Sequence, residues 1–318
     1  MCPRIPLRLS IFASLVMLSG CRMGVPIHVW QPPQLVSTVG KRVVLSTVAG
    51  PDDIAGRVKT NLLSMVPRDA GRETSLVDSA SLQNVGEIRL VSATDAESND
   101  GEPNDIVLAS VARREGIDYV LRGEVIEDRY PRPIPQQNRE LKVSWRLTSL
   151  DDQQPADGGS PVVVDVESAV DRYPDLALVG DADQILTSAA ARDAFRLFTP
   201  SVDRDRVQLA IPYMLLGSKE VRRGNAAALS GRWGEAERIW SGVAEKHPTQ
   251  TAATHNLALA AAAGQDFSRA KQLARKAIRR HPSSHYQRTL VWIELKQRDY
   301  HKAFGLPDPP EGWFVTTH

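Results

Sequence analysis

Apolar positions change their period along the chain, and the changes outline its elements. From Arg42 to Val48 both faces are apolar (Val43 and Leu45 on one, Val44 and Val48 on the other), which predicts a central strand. Gly50-Pro51-Asp52-Asp53 then opens a helix, with proline early and acids near its positive end. Ile54, Val58, Leu62 and Met65 continue it at three- and four-residue spacing. A short strand is expected over Ile88 to Val91, and a helix from Asp105 to Glu115 that Gly116 ends. Strand patterns follow at 117–126, at 141–148, where Leu141, Val143, Trp145 and Leu147 alternate with polar residues, and at 161–168. A last helix runs from Ile185 to Phe198, before Pro200. The expected order is β-α-β-α-β-β-β-α, an α/β (α+β) domain over residues 40–200.

The strand, helix, strand, helix, "Gly116-Ile-Asp-Tyr-Val-Leu-Arg-Gly123-Glu", hairpin order resembles a periplasmic α/β domain of bacterial envelope proteins. Its members include the amino-terminal domain of TolB, the curli secretion lipoprotein and lipoprotein activators of penicillin-binding proteins. These relatives differ in function, so the resemblance implies a fold and a compartment but no activity.

Beyond residue 213 the pattern becomes a repeat. Trp233 and Phe267, Ala236 and Ala270, His247 and His281, and Pro248 and Pro282 are each 34 residues apart. This resembles the tetratricopeptide repeat, with Gly224 at its small position and Gly231-Arg-Trp233-Gly-Glu-Ala236 at its turn; Gly264-Gln-Asp-Phe267-Ser-Arg-Ala270 matches it in the second copy. Tyr286 to Gln297 reads as a capping helix. The expectation is an all-α repeat module over 213–303, with a Pro-rich tail at 304–318. So short an array leaves core uncovered, so it is expected to pack on the first domain.

The first twenty residues carry Arg4 and Arg8, no acid, and the apolar run Leu9 to Leu18, too short for a permanent span. Leu18-Ser19-Gly20-Cys21 follows, and resembles a bacterial lipobox. The resemblance implies a signal peptide over 1–20, lipidation at Cys21, and an outer-membrane protein facing the periplasm, since Arg22 rather than Asp follows the cysteine. Residues 21–39, with Pro26, Pro32 and Pro33, read as a tether.

Cysteine usage narrows the chemistry. Only Cys2 and Cys21 occur, which excludes zinc fingers, iron–sulfur clusters and disulfide frameworks. The net charge of +1 gives no pointer to nucleic acid, but it is unevenly spread: residues 40–200 hold 18 basic and 27 acidic residues, residues 201–318 hold 18 and 11. Much of the second excess lies on helix 268–281, where Arg269, Lys271, Arg275, Lys276, Arg279 and Arg280 share one arc, either a solvated face or an anion-facing one.

Gly50 to Arg57 imitates a phosphate loop, but has arginine for lysine and two aspartates where phosphate would sit. Asp95 to Gly101 imitates a calcium loop with Ile106 in place of its bidentate glutamate. His247 and His281 are accounted for by the repeat itself. No catalytic constellation, cofactor site or metal site is expected.

The functional expectation is therefore a non-catalytic, lipid-anchored envelope lipoprotein that binds or regulates a protein partner, with membrane contact through Cys21 and oligomers open. The alternative is a subunit of an oligomeric outer-membrane secretion pore. Partner contact is expected on the inner face of the repeats, at Val221, Asn225, Leu229, His255, Asn256 and Leu259. Asn225 and Asn256 stand where tail-clamping repeats have asparagines, but Val221, Tyr286 and Leu290 replace the basic partners, so a peptide segment fits better than a terminal carboxylate. The tail, with Trp313 and Phe314, is the competing occupant of that groove.

Overall fold

The computed structural model describes residues 24–35, 38–66, 76–85, 105–126, 139–151 and 160–315. The chain is mixed α+β and divides into two units. One comprises residues 32–201 with 302–306, the other the remainder.

The first unit is built on a five-stranded sheet of order β3-β2-β4-β5-β6. Its strands are β2 (Val43–Ala49), β3 (Leu76–Asp78), β4 (Tyr119–Ile126), β5 (Glu140–Ser149) and β6 (Ser160–Asp165). β2 pairs in parallel with β3 and β4, while β4, β5 and β6 run antiparallel. Its α-helices are α1 (Asp52–Ser64), α2 (Ser79–Val85), α3 (Asp105–Arg114), α4 (Val166–Arg172) and α5 (Ala182–Phe198).

The doubly apolar pattern of β2 has the expected consequence. Val43 and Leu45 join a core with Val58 and Leu62 of α1 and Ala190 and Leu197 of α5. Val44 faces the other way, into a second cluster with Leu82, Leu108 and Ala112. Helices thus cover both faces of the parallel part of the sheet. On β5 the alternation is clean: Leu141, Val143, Trp145 and Leu147 are buried, and Lys142 and Arg146 are exposed.

Two boundaries differ from expectation for local reasons. The strand predicted to run to Ser168 stops at Asp165, whose carboxylate accepts the Ser168 N–H at 2.9 Å and caps α4. Asp181 caps the next helix in the same way, so it starts at Ala182 rather than Ile185. Ile88 to Val91 lies outside the described residues, and the strand found beside β2 is Leu76–Asp78. The calcium-like loop and Cys21 also lie outside them.

Among the described residues the second unit holds five helices: α6 (Ser218–Leu229), α7 (Trp233–Lys246), α8 (Thr251–Ala263), α9 (Phe267–Arg280) and α10 (Ser284–Phe304). It is not all-α. β1 (Gly24–Gln31) and β7 (Ser201–Gln208) pair as a two-stranded sheet that belongs to it. Residues 24–31 are therefore a strand, not a tether. Val25, Ile27 and Val29 alternate inward, and Pro26 is tolerated because the ribbon has only edge strands. The first unit is an insertion between two strands of the second.

Small residues set the helix spacing. A Cβ at Gly224 would lie 2.7 Å from Trp240 Cδ1, so only glycine lets α6 approach α7 over that ring. Trp240 Nε1 in turn donates to Val221 O at 3.1 Å. The core that a short array would leave bare is covered within this unit by Val25, Ile27, Val29, Val207 and Leu209.

Candidate functional site

The inner face of the helices was the expected partner site. Residues just past β7 cross it and are held there by side chains. Asn256 Oδ1 accepts the Ala210 N–H at 2.8 Å, and Asn256 Nδ2 donates to Ala210 O at 3.0 Å. Asn225 Nδ2 donates to the same carbonyl at 3.1 Å. The amides therefore act on backbone as another strand would.

His255 buttresses this clamp. Its Nδ1 lies 3.0 Å from Asn256 Oδ1 and its Nε2 2.9 Å from Thr289 Oγ1. The Tyr286 ring stacks on it at 4.4 Å. Full burial, reinforced by His285, pushes the His255 pKa from 6.5 down to about 3, so the ring stays neutral near pH 7.

The six residues expected to meet a partner are accordingly placed as follows. Val221, Asn225, His255, Asn256 and Leu259 are buried and serve the unit's own packing. Leu229 alone is open, at 47% exposure, on the last turn of α6. The groove is not free, because the chain's own Leu209 and Ala210 fill it. A partner cannot reach the amides of Asn225 and Asn256 without displacing that segment.

Nor does the tail fill it. Residues 307–315 pack on α9 and α10 instead. Lys271, only 1% exposed, pairs with Glu311 at 2.6 Å, and this contact holds the Glu311 carboxyl below its usual range. Glu294, equally buried, accepts the N–H groups of Phe314 and Val315 at 2.6 Å each. Arg275 lies over the Phe314 ring at 4.0 Å and Arg298 over Trp313 at 5.0 Å. Part of the basic face expected to be solvated or anion-facing is thus spent on the tail.

An open surface lies at one end of the unit, where the turn before α6 meets the α7–α8 and α9–α10 turns. A cleft of about 410 Å³ there is lined by Leu209, Pro212, Gln250, His281, His285 and Tyr286, among others. Beside it Tyr213, Met214, Leu215 and Leu216 are 63%, 98%, 60% and 78% exposed. Their backbone is nonetheless fixed. Gln250 Nε2 donates to Leu216 O at 3.1 Å, Leu215 N–H donates to Ser218 Oγ at 3.1 Å, and Arg222 donates to Pro212 O at 2.9 Å. Sequence reading missed this site. Its signal was the unbroken run Ile211-Pro-Tyr-Met-Leu-Leu216, which belongs to no amphipathic element.

Elsewhere the candidate chemistry resolves into structure. Arg57 of the phosphate-loop imitation reaches Asp53, one turn back, at 3.5 Å. Among the described residues no group of three or more His, Cys, Asp or Glu could hold a metal ion. Among them, too, no helix is long and apolar enough to cross a membrane.

No family model matches the chain, and no curated protein matches it. Solved structures similar to it include a PelC dodecamer from Paraburkholderia phytofirmans, at 15% identity and a TM-score of 0.28. That match covers 55% of this chain and 98% of that one. The hypothetical protein CT253 from Chlamydia trachomatis matches at 13% identity and a TM-score of 0.21, covering 50% and 93%. Likeness this weak says nothing of what this chain does.

Proposed function

We propose that this chain is a lipid-anchored adaptor of the bacterial cell envelope, outer-membrane and periplasm-facing, that holds a protein partner and carries out no chemistry. On this reading α6–α7 and α8–α9 are two tetratricopeptide repeats, α10 caps them, and the inserted α/β unit is of the envelope-domain type.

One observation carries the reading: the helical unit exposes an apolar surface at the end opposite the start of β1, the strand that follows Cys21. β1 begins at Gly24, three residues after Cys21, the proposed lipidation site. Trp233 Nε1 donates to Pro26 O at 3.3 Å, which fixes the start of β1 near the α6–α7 turn. The exposed residues 213–216 precede α6, so its length of about 18 Å separates them from that turn. If Cys21 carries the anchor, one end of the unit lies at the membrane and the exposed apolar surface, of the kind that marks an interaction site, is turned from it.

The pore alternative would need apolar strand faces turned outward. The apolar face of β5, the best candidate, lies in the core.

The test has two arms. Cys21→Ser should abolish processing and membrane retention; cleavage and carbonate-resistant fractionation of that variant would end the anchoring claim. A photo-crosslinking amino acid at Met214 should trap a protein in cells, whereas one at Glu237, on α7, should not. Equal yields from the two sites would end the adaptor claim.

A further inference from the structure

The exposed end of the helical unit also specifies what kind of partner it fits. We propose that the cleft and the lip formed by Tyr213 to Leu216 bind an acidic, amphipathic protein segment, with apolar side chains against the lip and carboxylates on a basic rim. This rests on the adaptor reading and deepens it.

The apolar half of the argument is the fixed backbone of the lip. Gly217 has φ +79°, and a Cβ there would fall 2.8 Å from His247 Cδ2 and 2.9 Å from Val243 Cγ1. Only glycine seats the lip's C-terminal edge so closely on α7. With Gln250, Ser218 and Arg222 also holding it, the lip displays four apolar side chains from a backbone that needs little ordering on contact, which lowers one cost of binding. Folding into the unit's own core would have been the ordinary fate of such a run.

Charge supplies the second half. The turns around the lip expose Lys219, Arg222, Lys246, Arg279 and Arg280, against Glu220 and Glu245. Arg280 donates to Pro248 O, which places the end of α9 against the α7–α8 turn. The excess is cationic, so an acidic segment is attracted and a basic one repelled.

Gln250 gives the third observation. It lines the cleft and is 1% exposed; its Nε2 is used on Leu216 O, while its Oε1 has no hydrogen-bond partner. A buried acceptor without a donor costs on the order of 1–3 kcal/mol. A backbone N–H from a segment laid in the cleft would supply that donor. An anionic membrane would also satisfy apolar and basic groups, but the lip lies at the end of α6 away from β1's start.

The experiment uses the full chain in detergent and two fluorescein-labelled peptide panels with one apolar pattern, bearing Glu or Lys at the polar positions. Fluorescence polarisation should show the Glu panel binding at least about tenfold tighter, with the advantage shrinking as salt rises. Met214→Asp with Leu216→Asp should remove that binding, and Lys246→Glu with Arg279→Glu should favour the Lys panel. All four positions are exposed, so melting curves should match the parent. Equal affinity for the two panels, or indifference to the lip variants, overturns the proposal. So does binding to phosphatidylcholine vesicles containing phosphatidylglycerol that the Glu peptides do not compete. If Met214 still crosslinks a protein in cells, such results remove the acidic segment and leave the adaptor.

Discussion

Asn225 and Asn256 meet across the inner face of the helical unit: Asn256 Nδ2 donates to Asn225 Oδ1 at 2.8 Å, and both amides hold the Ala210 carbonyl. The two lie on different helices, α6 and α8, and neither contacts solvent appreciably. Removing Asn256 therefore strands Ala210 N–H, Asn225 Oδ1 and His255 Nδ1 together. Asn256→Ala should cost about 3 kcal/mol, and Asn225→Ala, which loses fewer bonds, about half of that. Urea denaturation followed by tryptophan fluorescence measures both. Equal, sub-kcal effects would show that Ala210 is held by packing alone.

Acid should loosen the same clamp. The His255 pKa falls from 6.5 to about 3 on folding, so between those values the unfolded chain binds a proton that the folded chain refuses. Stability is full above pH 6.5 and is lost as pH drops toward 3, at up to ~1.4 kcal/mol per unit. His255→Leu should be less stable at pH 7, since Thr289 and Asn256 lose a partner, yet should lose less on going to pH 5. Melting temperatures of both proteins at the two pH values decide it; parallel losses would acquit His255.

Two backbone positions make opposite predictions. Gly224→Ala drives a methyl into the Trp240 indole, 2.7 Å from Cδ1, and should cost about 1–3 kcal/mol. Gln265 has φ +62° where the corresponding turn of the first repeat has Gly231 at +76°. A side chain there costs roughly 1 kcal/mol, so Gln265→Gly should stabilise by about that amount. Thermal melts of the two variants should move in opposite directions.

The sequence made the period-based elements readable and the specific contacts much less so. β2, the alternation of β5 and the two faces of α9 follow from spacing, because burial imposes the period directly. Asn225 and Asn256 are also visible as polar residues on an otherwise small and apolar face. Their positions lie 31 residues apart, not 34, so the repeat offers no hint that they pair. β1 stayed hidden because prolines suggested a linker, while the inward alternation of Val25, Ile27 and Val29 spans too few residues to outweigh them. What fills the groove could not be read either, since Ala210 is recognised through its backbone, and a backbone leaves no signature in side-chain pattern.

The tail gives the last test. Lys271 and Glu294 are each 1% exposed, and the tail supplies partners to both: Glu311 to the ammonium, and the N–H groups of Phe314 and Val315 to the carboxylate. Charges so deeply placed are tolerated only while paired. Truncation after Leu306 removes these partners and uncovers the sides of α9 and α10 that Trp313 and Phe314 had covered. The truncated chain should melt several degrees lower and bind an apolar dye that the parent excludes. Lys271→Met in the truncated chain should recover part of the loss, since an apolar side chain of similar length needs no counter-charge. Binding of the acidic peptide panel should persist, because no residue of the tail lines the cleft. Unchanged melting and dye binding on truncation would mean that water replaces the tail without penalty, and that the buried pair with Glu311 contributes nothing to the fold.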